Sequence, residues 1–414
     1  MSKNKKILIV SFFFAPTTRV GGKRFSFLSK FLKEKYPELN ILTVSEMYIS
    51  QRDDSLPFTA SVHRTRMFPP APVKQENILK KILQRLWINY FCLIDPFSGW
   101  IIPAFLKGRK IIREKKIDII IATGPPFSAM VIGYLLSLRS NAKLILDYRD
   151  PWSNHDRKFP KIFGKRVAMR LERRVVNRAS ALVFCSCAMK NNFIDNIGKY
   201  ADAPYFVITN GFSNGDGIQP LSLGRAQKNI VYAGKLFGER KIDLLAKPLL
   251  NIMNEGLISR DNFCFHIFGE VMTEDRKLIN KFGLSNLIRE HPPVPYEQLI
   301  RYLMSADILV LIIGQDMSYS ISYKFFDYLS VKRPILAIAP RGSAIAELMD
   351  EIDCGRLAFI DSEVSIQQSL EKIIVEDKRY SFSGMGKYNW NEIAKKYINV
   401  IDNLTTLAVN ENIS

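Results

Sequence analysis

The residues around position 235 have the types and spacing that could bind a diphosphate. Gly234 ends a short apolar run, and Lys235 and Arg240 follow it five residues apart. Glycine lets backbone approach a ligand closely, and the two cations can contact phosphate oxygens from two sides. The spacing therefore predicts a diphosphate clamp, and an exposed basic turn is the alternative interpretation.

A second set of candidate residues lies in the stretch SYKFFDYLSVKRP, residues 322–334. A helix here places Lys324 and Asp327 on one face, three residues apart. Because the helix begins just after a predicted strand, its N-terminus would favour an anion. The pattern indicates an anion-binding helix, and a simple ion pair between the two side chains is the alternative.

Two turns in the first half of the chain are also candidates. Gly21 and Gly22 follow the first predicted strand, where a helix with free N–H groups would begin. They do not form a dinucleotide-binding GxGxxG motif, and a tight structural turn remains possible. After the fourth strand, Arg149 and Asp150 concentrate charge next to Asp147, which indicates a ligand site. A capped turn with an Arg–Asp ion pair is the alternative there.

These turns need a scaffold that brings strand ends together. Continuous apolar runs favour parallel strands buried on both faces, and the helical stretches between them imply right-handed crossovers. The predicted fold class is α/β with two doubly wound Rossmann-like domains, whose ligands bind beyond the strands' carboxyl ends. We predict strands near 6–14, 40–44, 118–122, 143–147, 181–185 and 205–208, and near 229–233, 263–268, 307–313, 334–338 and 356–360.

The length of 414 residues is too great for one hydrophobic core and suggests two domains. A cluster of Gly, Asn, Ser and Pro at 209–222 marks the boundary. We predict a first domain over 1–208, joined by a C-terminal helix within 386–414 that crosses back to it. The second domain is predicted over 209–385.

The net positive charge of the chain comes entirely from its first half. Residues 1–200 hold 36 lysines and arginines against 14 acidic residues, whereas 201–414 hold 23 against 26. Segments 77–116 and 157–178 hold most of this positive excess. In the first segment, basic residues alternate with apolar and aromatic ones, a pattern that favours binding to an anionic membrane surface over binding to nucleic acid. A core helix with a solvated basic face is the alternative. We expect the acceptor or the membrane to contact Arg24, Trp87, Trp100, Lys107, Arg109 and Lys110.

Cysteine and histidine usage argues against a metal site and against disulfides. The five cysteines form no CxxC pair, and the four histidines are scattered. The chain has no run of 18 uncharged apolar residues, which excludes a regular membrane-spanning helix. We expect a cytoplasmic protein with no metal and no cofactor.

Several motifs together resemble the nucleotide-sugar-dependent glycosyltransferases of the GT-B fold, in particular the large family-four group. Near the N-terminus, ILIVSFFFAP and GGKR resemble the family's first strand and glycine loop. Three further motifs look like a bacterial subgroup acting on surface-polysaccharide precursors, and three resemble the donor domain. These are DPFSGW (95–100), GPPFSA (124–129) and DYRDPW (147–152), then ITNGF (208–212), GKLFGERKIDLL (234–245) and YKFFDYLSVKRPILA (323–337).

The resemblance implies two domains facing across a cleft and a metal-independent transfer from a nucleotide diphosphate sugar, with retention at the anomeric carbon. It places Lys235 and Arg240 on the donor diphosphate and Asp327 on the nucleotide ribose. Tyr319 stands where the family's other acidic residue is usual. Arg149 and Asp150 stand where many relatives have a histidine.

The resemblance also implies a saccharide acceptor, here expected to be lipid-linked, at the inner face of the cell membrane. Two other functions stay open. A nucleotide-sugar epimerase can share the two-domain shape but needs several acid/base groups around the sugar. A non-catalytic membrane-associated subunit with the same fold is suggested by Tyr319 and by the exchanged Lys235 and Arg240.

Overall fold

The computed structural model describes residues 5–17, 19–49, 52–68, 94–153, 164–214, 217–224, 228–376 and 378–410. The chain divides into two compact units. One comprises Met1–Thr209 together with Trp390–Ser414, and the other comprises Asn210–Asn389. Each unit is built on its own parallel sheet.

The first unit contains a seven-stranded sheet in the order β3-β2-β1-β4-β5-β6-β7, in which every pair is parallel. The strands are β1 (Ile7–Ser11), β2 (Leu39–Val44), β3 (Ser61–Thr65), β4 (Ile119–Gly124), β5 (Lys143–Tyr148), β6 (Ala181–Phe184) and β7 (Tyr205–Val207). The helices between them are α1 (Val20–Lys35), α2 (Ile101–Lys115), α3 (Ser128–Ser137), α4 (Gly164–Asn177) and α5 (Cys187–Asn196).

The second unit repeats this plan with six parallel strands in the order β10-β9-β8-β11-β12-β13. The strands are β8 (Lys228–Ala233), β9 (Phe263–Phe268), β10 (Ile288–His291), β11 (Ile308–Ile312), β12 (Ile335–Ala339) and β13 (Gly355–Phe359). The helices are α6 (Asp243–Asn254), α7 (Thr273–Lys281), α8 (Tyr296–Leu303), α9 (Tyr323–Val331), α10 (Ala344–Glu351) and α11 (Glu363–Val375).

The central strands of both sheets are buried on both faces. Every residue of β1, β4, β11 and β12 is buried. Helices on each side of a parallel sheet exclude water from both faces, so apolar residues are needed at every position rather than at alternate ones. This explains why the apolar runs of the sequence predict these strands well.

Two strands were missed by the sequence interpretation, β3 and β10. Their sequences, SVHRT and IREH, are short and polar, and most of their residues are at least partly exposed. Both lie at the outer edge of a sheet, where one side of the strand has no neighbouring strand. An edge strand needs no continuous apolar run, so hydrophobic patterning does not reveal it.

The final helix, α12 (Trp390–Asn410), belongs to the first unit. The Trp390 ring stacks on Phe27 of α1 with centroids 5.6 Å apart, and Tyr397 contacts Phe25 at 5.7 Å. Lys5, just before β1, donates to the Ile401 carbonyl at 3.0 Å. The predicted fold class, two doubly wound α/β sheets with a C-terminal helix that returns to the first, is confirmed.

Candidate functional site

The turn after β8 brings predicted site residues of the second unit together. Gly234 has a φ of +127°, and its N–H donates to the Phe268 carbonyl at 2.7 Å. A Cβ atom at this position would overlap Nζ of Lys324, which reaches the turn from the first turn of α9. Backbone conformation and close approach therefore both require glycine here.

Lys324 lies against Tyr232, a buried residue of β8. Its Nζ donates to the Tyr232 hydroxyl at 3.3 Å and lies 4.5 Å from the ring centroid. Burial lowers the pKa of Lys324 to about 7, with the charge of Arg240 acting in the same direction and Asp327 acting against both. Two cations are thus close enough to repel each other, and a bound anion would relieve that repulsion.

The two predicted clamp residues, Lys235 and Arg240, have different surroundings. Arg240 lies over the ring of Phe237, 4.1 Å from its centroid. Lys235 instead pairs with Glu270 at 2.7 Å, where the two side chains are 44% and 62% exposed. Lys235 thus pairs with an acidic side chain, and the charge of Arg240 acts on Lys324; whether Lys235 and Arg240 together bind a diphosphate stays a prediction.

Asp327 lies one turn further along α9 and is only 7% exposed. Its Oδ1 accepts a hydrogen bond of 2.7 Å from the hydroxyl of Tyr296, the first residue of α8. Tyr319 precedes α9, and its hydroxyl contacts the Met317 sulfur at 3.7 Å. The sequence interpretation missed both Tyr232 and Tyr296. Tyr232 could have been noticed as a tyrosine within an aliphatic strand, whereas no sequence pattern pointed to Tyr296.

Arg24 requires a correction in the first unit. It was expected at the acceptor or membrane surface, but it is 1% exposed and pairs with the buried Asp147 at 3.0 Å. Arg24 also donates to the carbonyls of Ile208 and Thr209 at 2.7 Å. A side chain enclosed in this way cannot reach a membrane, and the Asp147 carboxylate turns toward Arg24 rather than into a ligand site.

Arg149 ties together three turns at the carboxyl edge of the first sheet. Its guanidinium donates to the carbonyl oxygens of Gly21, at 2.7 Å, and Pro125, and its N–H donates to the Gly124 carbonyl at 2.9 Å. A Cβ atom on Gly21 would lie 2.8 Å from Arg149 Nη1, and one on Gly22 would lie 2.6 Å from a methyl carbon of Thr17. Packing alone therefore requires both glycines, and Arg149 braces the loops at this edge of the first sheet.

Asp150 lies next to two residues, Trp152 and Ser153, that are held by buried contacts. Trp152 is buried and stacks on Phe127 with centroids 5.1 Å apart. The buried carboxylate of Glu172 accepts hydrogen bonds from the Ser153 N–H, at 3.0 Å, and from its hydroxyl. Burial raises the pKa of Glu172 above its usual value. These contacts fix the backbone around Asp150, which itself is half-buried.

Trp100 also requires a correction, because it was expected to contact the acceptor or membrane. It is fully buried, and its Nε1 donates to the Thr65 hydroxyl at 2.7 Å. Trp87 lies outside the described residues, as do residues 77–93 and 157–163 of the two basic segments. Within the described residues, the helices of these two basic segments are α2 and α4.

Helix α2 has an exposed face that combines apolar and basic side chains. Ile102 is 70% exposed and Leu106 is 59% exposed. Arg109 and Lys110 follow on the exposed side, while Lys107 is half-buried. On α4, Arg166, Arg170 and Arg174 are exposed at intervals of four residues, which places them on one helix face.

Two further findings apply only to the part of the chain that the structure describes. No group of three or more His, Cys, Asp or Glu side chains there could hold a metal ion. None of its helices is both long enough and apolar enough to cross a bilayer. The expectation of a metal-independent reaction stays a prediction.

Comparison with solved structures shows the same two-domain fold in several proteins. Sucrose-phosphate synthase from Thermosynechococcus elongatus matches with a TM-score of 0.69 and 12% identity, over 97% of this chain and 100% of that one. The lipopolysaccharide outer core galactosyltransferase WaaB matches with a TM-score of 0.59 and 12% identity, over 96% of this chain and 99% of that one. UDP-GlcNAc 2-epimerase from Methanocaldococcus jannaschii matches with a TM-score of 0.53 and 11% identity, over 96% of this chain and 99% of that one.

Sequence comparison gives a narrower result. No curated protein matches the chain at a significant level of similarity. Residues 59–213 match the family model described as Glycosyltransferase Family 4. That range includes the motifs at 95–100, 124–129, 147–152 and 208–212 on which the resemblance depends. The chain thus has the two-domain GT-B fold, and its residues 59–213 match the Glycosyltransferase Family 4 model.

Proposed function

We propose that this protein transfers a sugar from a nucleotide diphosphate sugar to a lipid-linked saccharide in bacterial surface-polysaccharide synthesis. The observation that carries the proposal is Lys324 lying against Gly234 at the carboxyl end of β8, where the charge of Arg240 also acts on it. Two mutually repelling cations at a glycine turn suit a doubly charged diphosphate. The family match and the fold give the reaction class its context.

In the proposed reaction the anomeric carbon of the donor sugar loses its bond to the diphosphate oxygen and gains one to the acceptor oxygen. Negative charge develops on the departing nucleotide diphosphate, where Lys324 and Arg240 would stabilise it. The acceptor attacks from the face on which the diphosphate departs, so the anomeric configuration is retained. Its hydroxyl proton passes to the leaving phosphate oxygen, and no further base is needed. Asp150 orients the acceptor, and Asp327 binds hydroxyl groups of the donor.

The membrane part of the proposal depends on the exposed face of α2. Ile102 and Leu106 offer apolar surface to lipid tails, and Arg109 and Lys110 offer charge to anionic headgroups. The exposed arginines of α4 add to this positive surface. We propose that the protein works on the cytoplasmic face of the cell membrane, bound to its surface, where a lipid-linked acceptor would be presented.

An epimerase is the second candidate, because structures of UDP-N-acetylglucosamine 2-epimerases share the fold. Incubation with nucleotide sugars, with and without a membrane lipid extract, distinguishes the candidates by their products. The proposed transferase releases nucleotide diphosphate only when the extract supplies an acceptor. An epimerase converts the donor sugar without acceptor, and a non-catalytic subunit does neither; either result would refute the transferase.

A further inference from the structure

The two charged side chains of α9 are held by phenols from other elements. Lys324 and Asp327 are three residues apart, a spacing at which opposite charges commonly pair along a helix. Here the Lys324 amine donates to the hydroxyl of Tyr232 on β8, at 3.3 Å. The Asp327 carboxylate accepts from the hydroxyl of Tyr296 on α8, at 2.7 Å. Each charge therefore has a neutral partner.

Both phenols are oriented by their surroundings for these roles. Tyr232 is buried, and its own hydroxyl donates to the Lys235 carbonyl at 3.2 Å, so an oxygen lone pair is directed at the amine. Tyr296 begins α8, which packs against α9. A phenol that donates to a carboxylate makes a charge-assisted hydrogen bond, which is stronger than one between neutral groups.

We propose that Tyr232 and Tyr296 are positioning residues of the donor site, holding Lys324 toward the diphosphate and Asp327 toward the donor's hydroxyl groups. The inference rests on the proposed function. Its physical reason is that a direct Lys324–Asp327 pair would cancel both charges in a poorly solvated site, where such pairing is strong. A neutral phenol fixes each side chain and leaves its charge available to the ligand.

The test compares phenylalanine variants, which keep each ring and remove only the hydroxyl. Calorimetric titration with a nucleotide diphosphate sugar bound by the wild type should give about tenfold weaker binding for Tyr232→Phe and for Tyr296→Phe. In a Lys324→Met background, Tyr232→Phe should no longer weaken binding, because its charged partner is absent. For the same reason, Tyr296→Phe should no longer weaken binding in an Asp327→Asn background. Tyr388→Phe is the matched control, since that hydroxyl lies 3.1 Å from Glu351 in the same unit.

Tyr388→Phe should leave donor affinity unchanged, and thermal unfolding without ligand records any loss of stability in all three variants. Unchanged affinity in Tyr232→Phe or Tyr296→Phe would overturn the inference for that residue. A full tenfold loss that persists in the Lys324→Met or Asp327→Asn background would also overturn it. A wild-type protein that binds no nucleotide sugar would refute the proposed function and this inference together.

Discussion

Arg24 and Asp147 form an ion pair of 3.0 Å between side chains that are 1% and 0% exposed. The pair joins α1 to the carboxyl end of β5, and Thr123 donates to the same carboxylate at 2.6 Å. Tyr397 of α12 donates to it as well. Although burial opposes the charge, Asp147 keeps the pKa of Arg24 above its ordinary value. One buried charge pair therefore secures the C-terminal helix on the first sheet.

Breaking this pair should strongly destabilise the protein. Arg24→Met or Asp147→Asn leaves a buried charge without its partner, which costs about 3–5 kcal/mol of unfolding free energy. Arg52→Met is the control, because that arginine is exposed and pairs at the surface, and it should cost at most about 1 kcal/mol. Urea denaturation measures both. A loss below about 1 kcal/mol for Arg24→Met would show that the network does not hold the first unit together.

Gly21→Ala should disturb the loops that Arg149 braces. The added methyl group would lie 2.8 Å from Nη1 of Arg149 and 3.1 Å from the Phe13 ring, so the guanidinium must move. We expect a loss of about 1–3 kcal/mol in stability, and a reduction of the proposed transferase activity. Gly386→Ala is the control, since nothing lies within 4 Å of its added Cβ atom. Equal stability of the two variants would contradict a bracing role for Arg149.

The sequence could predict the scaffold because each central strand is a continuous apolar run, and it could single out Gly234, Arg240, Lys324 and Asp327 as candidate site residues because they follow such runs. It could not predict which cations meet. Lys235 and Arg240 are close in sequence, yet the charge of Arg240 also acts on Lys324, which is more than eighty residues away. Such contacts depend on strand order and helix register, which no local pattern encodes. Arg24 appeared to be a surface residue for the same reason.

Stability should fall in mild acid because of a buried histidine. His266 lies in β9, 2.9 Å from His291 and 3.0 Å from the Asn229 side chain. Burial lowers the pKa of His266 to about 4, with His291 and Arg289 acting in the same direction. The imidazole of the unfolded chain takes up a proton near pH 6.5, whereas that of the folded protein does not. The contribution of the neutral His266 to the free energy of unfolding is therefore complete above pH 6.5 and is lost as the pH falls toward 4.

Urea denaturation should therefore show a loss of about 1–2 kcal/mol from this site between pH 7.5 and 5. His266→Gln cannot titrate and should flatten that part of the pH profile. The two profiles are compared by their slopes, which separates the titration from any uniform loss of stability in the variant. An identical slope in both proteins would rule out His266 as the source.

Removing charge from α2 should weaken binding to anionic vesicles. Arg109→Glu/Lys110→Glu places acidic groups on the exposed face next to Ile102 and Leu106, and each basic residue near such a surface contributes about 1 kcal/mol. We expect at least a tenfold weaker association with phosphatidylglycerol vesicles in a sedimentation assay. Lys277→Glu/Lys281→Glu on α7 changes the net charge equally and should have little effect. Equal losses in the two variants would mean that net charge, not this face, governs binding.

The central claim is that Lys324 and Arg240 bind the diphosphate of a nucleotide sugar, and a calorimetric titration tests it most directly. The wild type should bind at least one nucleotide diphosphate sugar, and Lys324→Met and Arg240→Ala should each weaken binding about tenfold or more. Because the pKa of Lys324 is about 7, wild-type affinity should fall as the pH rises from 6.5 to 8.5, and binding near neutral pH should take up a proton. Binding that is equally tight in both variants and independent of pH would contradict the account.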